Sequence, residues 1–325
     1  MIFDTHAHCY WNTLEPRIDE VFANMQKNGV IKATQIGCDI STSVQAISLA
    51  RRFPGVFYAT VGLHPETAQD NYEGIITNYE GESKSRHVEV GGILFGKDEQ
   101  DFSYTRNDRK LDTLETLEQL IQENRDIVVA VGECGFDFHY LEGITPEISE
   151  QLQQNPHRYT ELLSKGALEQ IENQKYWWLE QWKLAQKYNL PLVIHTRDAR
   201  DATLEFMKKH NINRCVMHCY SEDWDFAREL LDFSDEIYFS FSGILTYKKS
   251  EKIQEAAKNI PLERILVETD APFLAPQAVR GKVNEPAYTR YTLEKLAELR
   301  GVRVEDIEDR VYENSIRFYG LKISG

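Results

Sequence analysis

The chain has 325 residues, with 37 Lys+Arg against 52 Asp+Glu and a formal net charge of −15. Its apolar runs, such as Ile127–Val131, last a handful of residues, which excludes a membrane helix of about 20. Asp4, His6 and His8 interrupt the N-terminal stretch where a secretory signal would need apolar residues, so a cytoplasmic protein with no membrane partner is expected. The acidic balance speaks against a passive nucleic-acid coat, which relies on net positive charge, but not against a nuclease that carries its own cations. Five cysteines without a CxxC pair read as reduced, packed thiols.

Short apolar runs recur in chain order at Ile2–His8, Ala33–Cys38, Val56–His64, Ile127–Asp137, Leu192–Arg197, Cys215–Ser221, Ile237–Gly243 and Ile265–Asp270. Helical spacing fills the gaps at Arg17–Asn28, Ser43–Arg52, Leu111–Glu123, Tyr176–Tyr188, Ala202–His210, Phe226–Leu231 and Glu251–Asn259, and Tyr288–Arg300 with Val304–Phe318 closes the series. Strands alternating with helices predict βαβ units and a parallel sheet. Eight such strands predict an α/β protein with a (β/α)8 TIM barrel, the competitor being an open doubly wound sheet. The expectation is one domain over 1–325. Two stretches break the rhythm: Asn71–Lys110, with a hairpin at His87–Lys97 turning on Gly91–Gly92, and the polar Leu141–Glu172. Both are expected to be insertions at the strand ends where barrel active sites lie, forming a lid or pocket wall.

His6, His8, His64, His195 and His218 fall at the ends of predicted strands. His6 and His8 are two apart, so both project from one face, with Asp4 on that face too. HxH beside a carboxylate is a usual way to hold a divalent ion. Glu133 sits between Gly132 and Gly135 at the end of the fourth strand, and Glu268 and Asp270 share a face at the end of the eighth. Converging carboxylates repel each other unless a cation or proton intervenes. Together these strands deliver four imidazoles and several carboxylates to one face, enough for two divalent ions sharing one carboxylate.

The motifs HAH at 6–8, GLHP at 62–65, GECGFD at 132–137, PLVIHTRDA at 191–199, MHCYS at 217–221, FSFSGILTYK at 239–248, ETDAPFLAP at 268–276, RGKVNEPAYTRYTLEKLAEL at 280–299 and ENSIRFYGL at 313–321 resemble the TatD-type metal-dependent deoxyribonucleases. The departures are the two long insertions, and Glu222 where a glycine is common. The resemblance implies a first metal on His6, His8, Glu133 and Asp270, and a second on Glu133, His195 and His218, with Glu133 bridging. It implies two divalent ions, Mg2+ or Mn2+ in use with Zn2+ as an alternative. The implied activity is hydrolysis of DNA phosphodiesters by a metal-activated water, as a 3′–5′ exodeoxyribonuclease acting on single strands or 3′ ends, in the setting of DNA repair.

In that chemistry Asp270 is the candidate general base with Glu133 beside it, and Asp4 and Glu268 the candidate orienters of the imidazoles. His64, Arg197, Arg280 and Lys282 are candidates for phosphate contacts. Tyr10, Trp11, Phe138, Tyr220, Tyr247 and Phe273 are candidates for stacking on bases. The competing reading is a metal-dependent deacylase or amidase acting on aminoacyl-tRNA or a small molecule, favoured by the long insertions and the lack of a basic surface. A monomer is the default expectation for assembly.

Overall fold

The computed structural model describes residues 1–69, 88–90, 93–95 and 106–322. Strands β1 (Ile2–Ala7), β2 (Val30–Gln35), β3 (Phe57–Val61), β6 (Val128–Asp137), β7 (Leu192–Arg197), β8 (Cys215–Met217), β9 (Ile237–Phe241) and β10 (Ile265–Val267) pair in that order as one sheet. Every pairing is parallel. Ala7 bridges Ala271 in parallel, while the His8 N–H donates to the Ala271 carbonyl (2.8 Å) and the Asp270 N–H to that of His6 (2.9 Å). The last strand thereby meets the first, and the sheet is a nearly closed (β/α)8-type barrel flanked by helices. The short β4 (Val88–Val90) and β5 (Ile93–Phe95) form a separate antiparallel hairpin.

The barrel interior explains how the histidines reach the mouth. Phe3, Val129, Val193, Val216, Tyr238 and Leu266, each the second residue of its strand, form one buried cluster. Ile316 and Phe318 of the C-terminal helix α12 (Val304–Phe318), with Tyr319, plug that N-terminal end. Side chains alternate along a strand, so β7, β8 and β10 carry His195, His218 and Glu268 inward two residues further on. In β1 and β6 the ladder register shifts, between Asp4 and Ala7 and between Val131 and Cys134. His6 and Glu133 lie within those two shifts, as expected where an irregular strand re-aims a side chain.

All eight expected strands are present, several of them shorter at their C-terminal ends, where the backbone leaves the ladder to form the mouth. The expected hairpin is there as β4 and β5, while its Gly91–Gly92 turn lies outside the described residues. Helix α4 (Arg106–Glu123) starts five residues before the expected Leu111.

The polar stretch Leu141–Glu172, expected as an insertion, is largely helical. Helix α5 (Pro146–Gln154) starts with Pro146 in its first turn, and the Thr145 hydroxyl caps the Ile148 N–H. Helix α6 (Tyr159–Leu162) follows, and α7 (Lys165–Tyr188) begins well before Tyr176 because the Ser164 hydroxyl caps the Ala167 N–H (3.0 Å). A side-chain acceptor for an otherwise unpaired first-turn N–H is worth about 1 kcal/mol, and Ala167 and Ile171 are buried on that first stretch of α7. The insertion docks on the barrel rim: Ser149 Oγ donates to Asp198 Oδ2 (2.6 Å) and Gln153 Nε2 to Asp198 Oδ1 (2.8 Å). The five cysteines are free thiols. Among the described residues no helix is long and apolar enough to cross a membrane.

Candidate metal centre

Glu133 is the hub of the barrel mouth. Its Oε1 lies 2.8 Å from His195 Nδ1 and 2.7 Å from His218 Nε2, while its Oε2 lies 3.4 Å from His6 Nε2. Asp270 Oδ1 completes the second group, 3.5 Å from His6 Nε2 and 3.4 Å from His8 Nε2. One carboxylate thus presents an oxygen to each of two imidazole groups. The glycines around it permit this packing: a Cβ on Gly135 (φ +137°) would sit 2.1 Å from the His195 carbonyl oxygen, and one on Gly132 (φ +132°) 2.6 Å from that of Val193.

The residues fit divalent cations. His6 is fully buried with neither ring nitrogen hydrogen-bonded, a costly state for an imidazole unless something else occupies its lone pair. Ligand atoms of His6, His8 and Asp270 lie within 4.8 Å of one another, as do those of His6, Glu133 and His218. Neighbouring ligands around a cation held at about 2.1 Å are spaced roughly 3.0–3.5 Å apart, close to the distances above.

Electrostatics point the same way. Burial alone would raise the Glu133 carboxyl, but the imidazoles of His218, His64 and His6 hold it well below its ordinary range. Burial likewise opposes ionisation of Asp270, yet the hydrogen bond with His8 and the charges of His6 and His218 keep it low. The ring of His195 is pushed up to about 9: burial would lower it, and the hydrogen bonds to Asp137 and Glu133 prevail. The carboxylates are therefore ready as anionic ligands, balanced by the raised imidazoles of His195 and His218.

The far nitrogens of three rings each face a neighbouring side chain. His195 Nε2 lies 3.0 Å from Asp137 Oδ2, and His218 Nδ1 lies 3.3 Å from Glu268 Oε1, which also accepts the Cys219 N–H (2.7 Å). His8 Nδ1 lies 2.9 Å from Tyr10 Oη. The Tyr10 hydroxyl gives its single proton to the Ile36 carbonyl (2.6 Å), so it must accept from His8 Nδ1–H. That places a proton on Nδ1 and leaves Nε2, the nitrogen that faces Asp270, as the one to ligate a cation.

His64 is fixed the opposite way. Its Nδ1 accepts the Glu66 N–H (3.2 Å), so its proton sits on Nε2, 3.7 Å from Glu133 Oε1. Burial lowers its pKa to about 4, and it presents a neutral N–H donor to the mouth.

The structure brings His6, His8, His64, Glu133, His195, His218, Glu268 and Asp270 together, but not all the expected residues. Asp4 touches no imidazole: it accepts from the Thr269 N–H (2.9 Å) and hydroxyl (2.5 Å) and from the His6 backbone N–H (3.3 Å). It braces β1 against the segment after β10, and burial raises its pKa to about 8. Arg197 packs over the Tyr140 ring (5.1 Å) and Arg280 over that of Tyr247 (4.6 Å), while Lys282 is exposed on the same loop as Arg280. Of the expected stacking aromatics, Tyr10, Phe138 and Tyr220 are buried and offer no open face.

Asp137 was not anticipated, although its place two and four residues beyond Gly135 and Glu133 put it on their face of the strand. Tyr10 continues the same two-residue spacing from His6 and His8, and its role as a histidine partner was not anticipated either. Cys38, whose Sγ lies 3.9 Å from His8 Nδ1, carries no sequence signal.

Tyr10→Phe removes the acceptor that fixes His8 while keeping the ring. Second partners of metal-bound histidines are worth 10–100-fold in metal affinity, so a loss of about that size is expected in a chelator-competition titration. Unchanged affinity would show that the tautomer of His8 is set elsewhere.

A parallel barrel with this donor set at the C-terminal ends of its strands defines the class of the protein as a metal-dependent hydrolase. Within that class, the family model for TatD related DNase matches residues 3–320, and the chain belongs to that family. It is 28% identical over 321 residues to an uncharacterised metal-dependent hydrolase of Mycoplasma genitalium, covering 98% of each chain. It is 28% identical over 323 residues to one of Bacillus subtilis, covering 99% of this chain and all of the other. Among solved structures, a TatD homologue of Escherichia coli shares the fold with a TM-score of 0.72 at 22% identity, covering 99% of this chain and 98% of that one.

Proposed function

We propose that the protein hydrolyses DNA phosphodiester bonds, working from the 3′ end of single strands with two divalent cations. The observation that carries the reading is Glu133, whose two oxygens face two separate imidazole groups. His6, His8, Asp270 and Glu133 would hold one cation, and Glu133, His195 and His218 the other. Such a pair, when bound, acidifies water and neutralises charge on the attacking and leaving oxygens of a phosphoryl centre.

The chain's own groups do the rest. Asp270 keeps its carboxylate ionised and takes the proton of the attacking water on Oδ2, since Oδ1 is turned to His6 and His8. His64 donates Nε2–H to a phosphoryl oxygen, and as a neutral ring it neither competes for cations nor repels them. Asp137 and Glu268 keep His195 and His218 turned inward. Arg197, Arg280 and Lys282 hold flanking phosphates. Support for DNA as the substrate comes from the family and from these three cations at the rim of an otherwise acidic chain.

The test uses metal-stripped protein reloaded with Mg2+ or Mn2+ and single-stranded DNA labelled at either end. A ladder shortening from the 3′ end is expected, absent with Asp270→Asn. No cleavage by folded, metal-loaded protein would overturn the nuclease reading in favour of a carbonyl substrate such as an aminoacyl ester or amide.

A further inference from the structure

Phe273 is one of the few large apolar side chains exposed among the described residues, at 43%. It stands beside the metal centre. Its ring meets that of Trp11 edge-on, centroids 5.0 Å apart and planes at 84°. Both rings pack edge-on against His8, at 6.4 and 6.5 Å. The pair forms an aromatic corner one imidazole away from Asp270, on the rim of the mouth. We propose that this corner is the seat of the unpaired nucleobase at the 3′ end of a DNA strand.

The corner is rigid before any substrate arrives. The Phe273 N–H donates to the Asp270 carbonyl (2.9 Å), and Asn284 Nδ2 donates to the carbonyls of Phe273 (2.5 Å) and Thr269 (2.9 Å). Trp11 is seated by its N–H on the His8 carbonyl (3.1 Å), and its own carbonyl accepts the N–H groups of Leu14 and Glu15. A ring held this way loses little freedom when a base stacks on it.

Charge on the same loop selects the ligand. Tyr247 Oη donates to the Ala275 carbonyl (3.1 Å), two residues from Phe273. The guanidinium of Arg280 lies over the Tyr247 ring, with Lys282 exposed beyond it. An apolar corner followed by fixed cations matches a base followed by its phosphates, whereas a wholly apolar partner would leave those cations uncompensated. Every base has a π-face, so such a seat is tolerant of sequence. A duplex end cannot occupy it without unstacking, which accounts for a single-strand preference.

The inference rests on the nuclease reading, and its test separates the two. Release of the first nucleotide is measured for two strands, one ending in a normal nucleotide and one ending in a tetrahydrofuran abasic residue, with wild type, Phe273→Ala and Phe273→Tyr in Mg2+. Wild type should favour the base-ended strand by roughly 10- to 100-fold, the difference lying in KM. Phe273→Ala should erase that preference while keeping kcat within a few-fold, and Phe273→Tyr should retain it. Equal handling of both strands by wild type, or an intact preference in Phe273→Ala, would overturn the seat and leave the nuclease standing. If wild type cleaves neither strand, the nuclease reading falls and the seat with it.

Discussion

Replacing Glu133 with Gln is expected to drop metal stoichiometry from two ions per chain to one or none, and activity by about 10³-fold or more. The amide keeps the volume but not the charge, and only one of its ends can accept. In the native arrangement Oε1 stands within 2.8 Å of both His195 Nδ1 and His218 Nε2, and Oε2 faces His6. A glutamine oxygen serves one of those groups while its NH2 is turned on the other, so at best one cation keeps its carbonyl-type ligand. Two readouts separate this from misfolding. Wild type should gain about 2.7 kcal/mol of stability for each cation bound at a hundred times its Kd, and the variant should show a smaller total gain or none. Elemental analysis after dialysis should count the ions directly. A variant that still binds two ions with unchanged affinity would remove Glu133 from its bridging role.

The fold was legible because the barrel repeats one signal eight times. An apolar run bounded by polar or glycine residues announces a buried strand, and the intervening amphipathic stretches announce the helices that cover it. Strand ends were harder. The expected runs continue to Ser221 and Asp270, whereas the ladder stops at Met217 and Val267. Cys219 (φ 43°) and Asp270 (φ 58°) adopt left-handed backbone there, a turn that periodicity does not encode. The helices inside Leu141–Glu172 were announced by Thr145–Pro146 and Ser164 as cap signals, but the polar composition masked them. At the centre, the residues that converge were visible as a pattern of His, Glu and Asp at strand ends. Their partners were not, because an acceptor such as Tyr10 or Asp137 differs from any other tyrosine or aspartate only through its neighbour in space. Asp4 is the converse case: it has the right spacing, yet it precedes the register shift that re-aims His6, and its carboxylate accepts from Thr269.

Asp270→Asn is expected to lower turnover by about 10³-fold or more at saturating metal while leaving the fold unchanged. The backbone argument comes first. Residue 270 sits at φ 58°, a conformation that costs most side chains 1–2 kcal/mol but that asparagine adopts as readily as aspartate. Its N–H to the His6 carbonyl and its carbonyl to the Phe273 N–H are untouched by the change. The side chain keeps its shape, and an amide oxygen can still face His6 and His8. What disappears is the charge and the ability to accept a proton. Loss of a ligand and loss of a base then predict different kinetics. If Asp270 served only to hold a cation, raising the metal concentration would restore the rate of the variant toward that of wild type. If it takes the proton, the rate stays low however much metal is supplied, and circular dichroism and thermal unfolding of the metal-free variant match wild type. Full recovery at high metal would assign the proton transfer to another group, and among the inward-facing residues His64, already neutral and carrying its proton on Nε2, is the wrong way round to accept it.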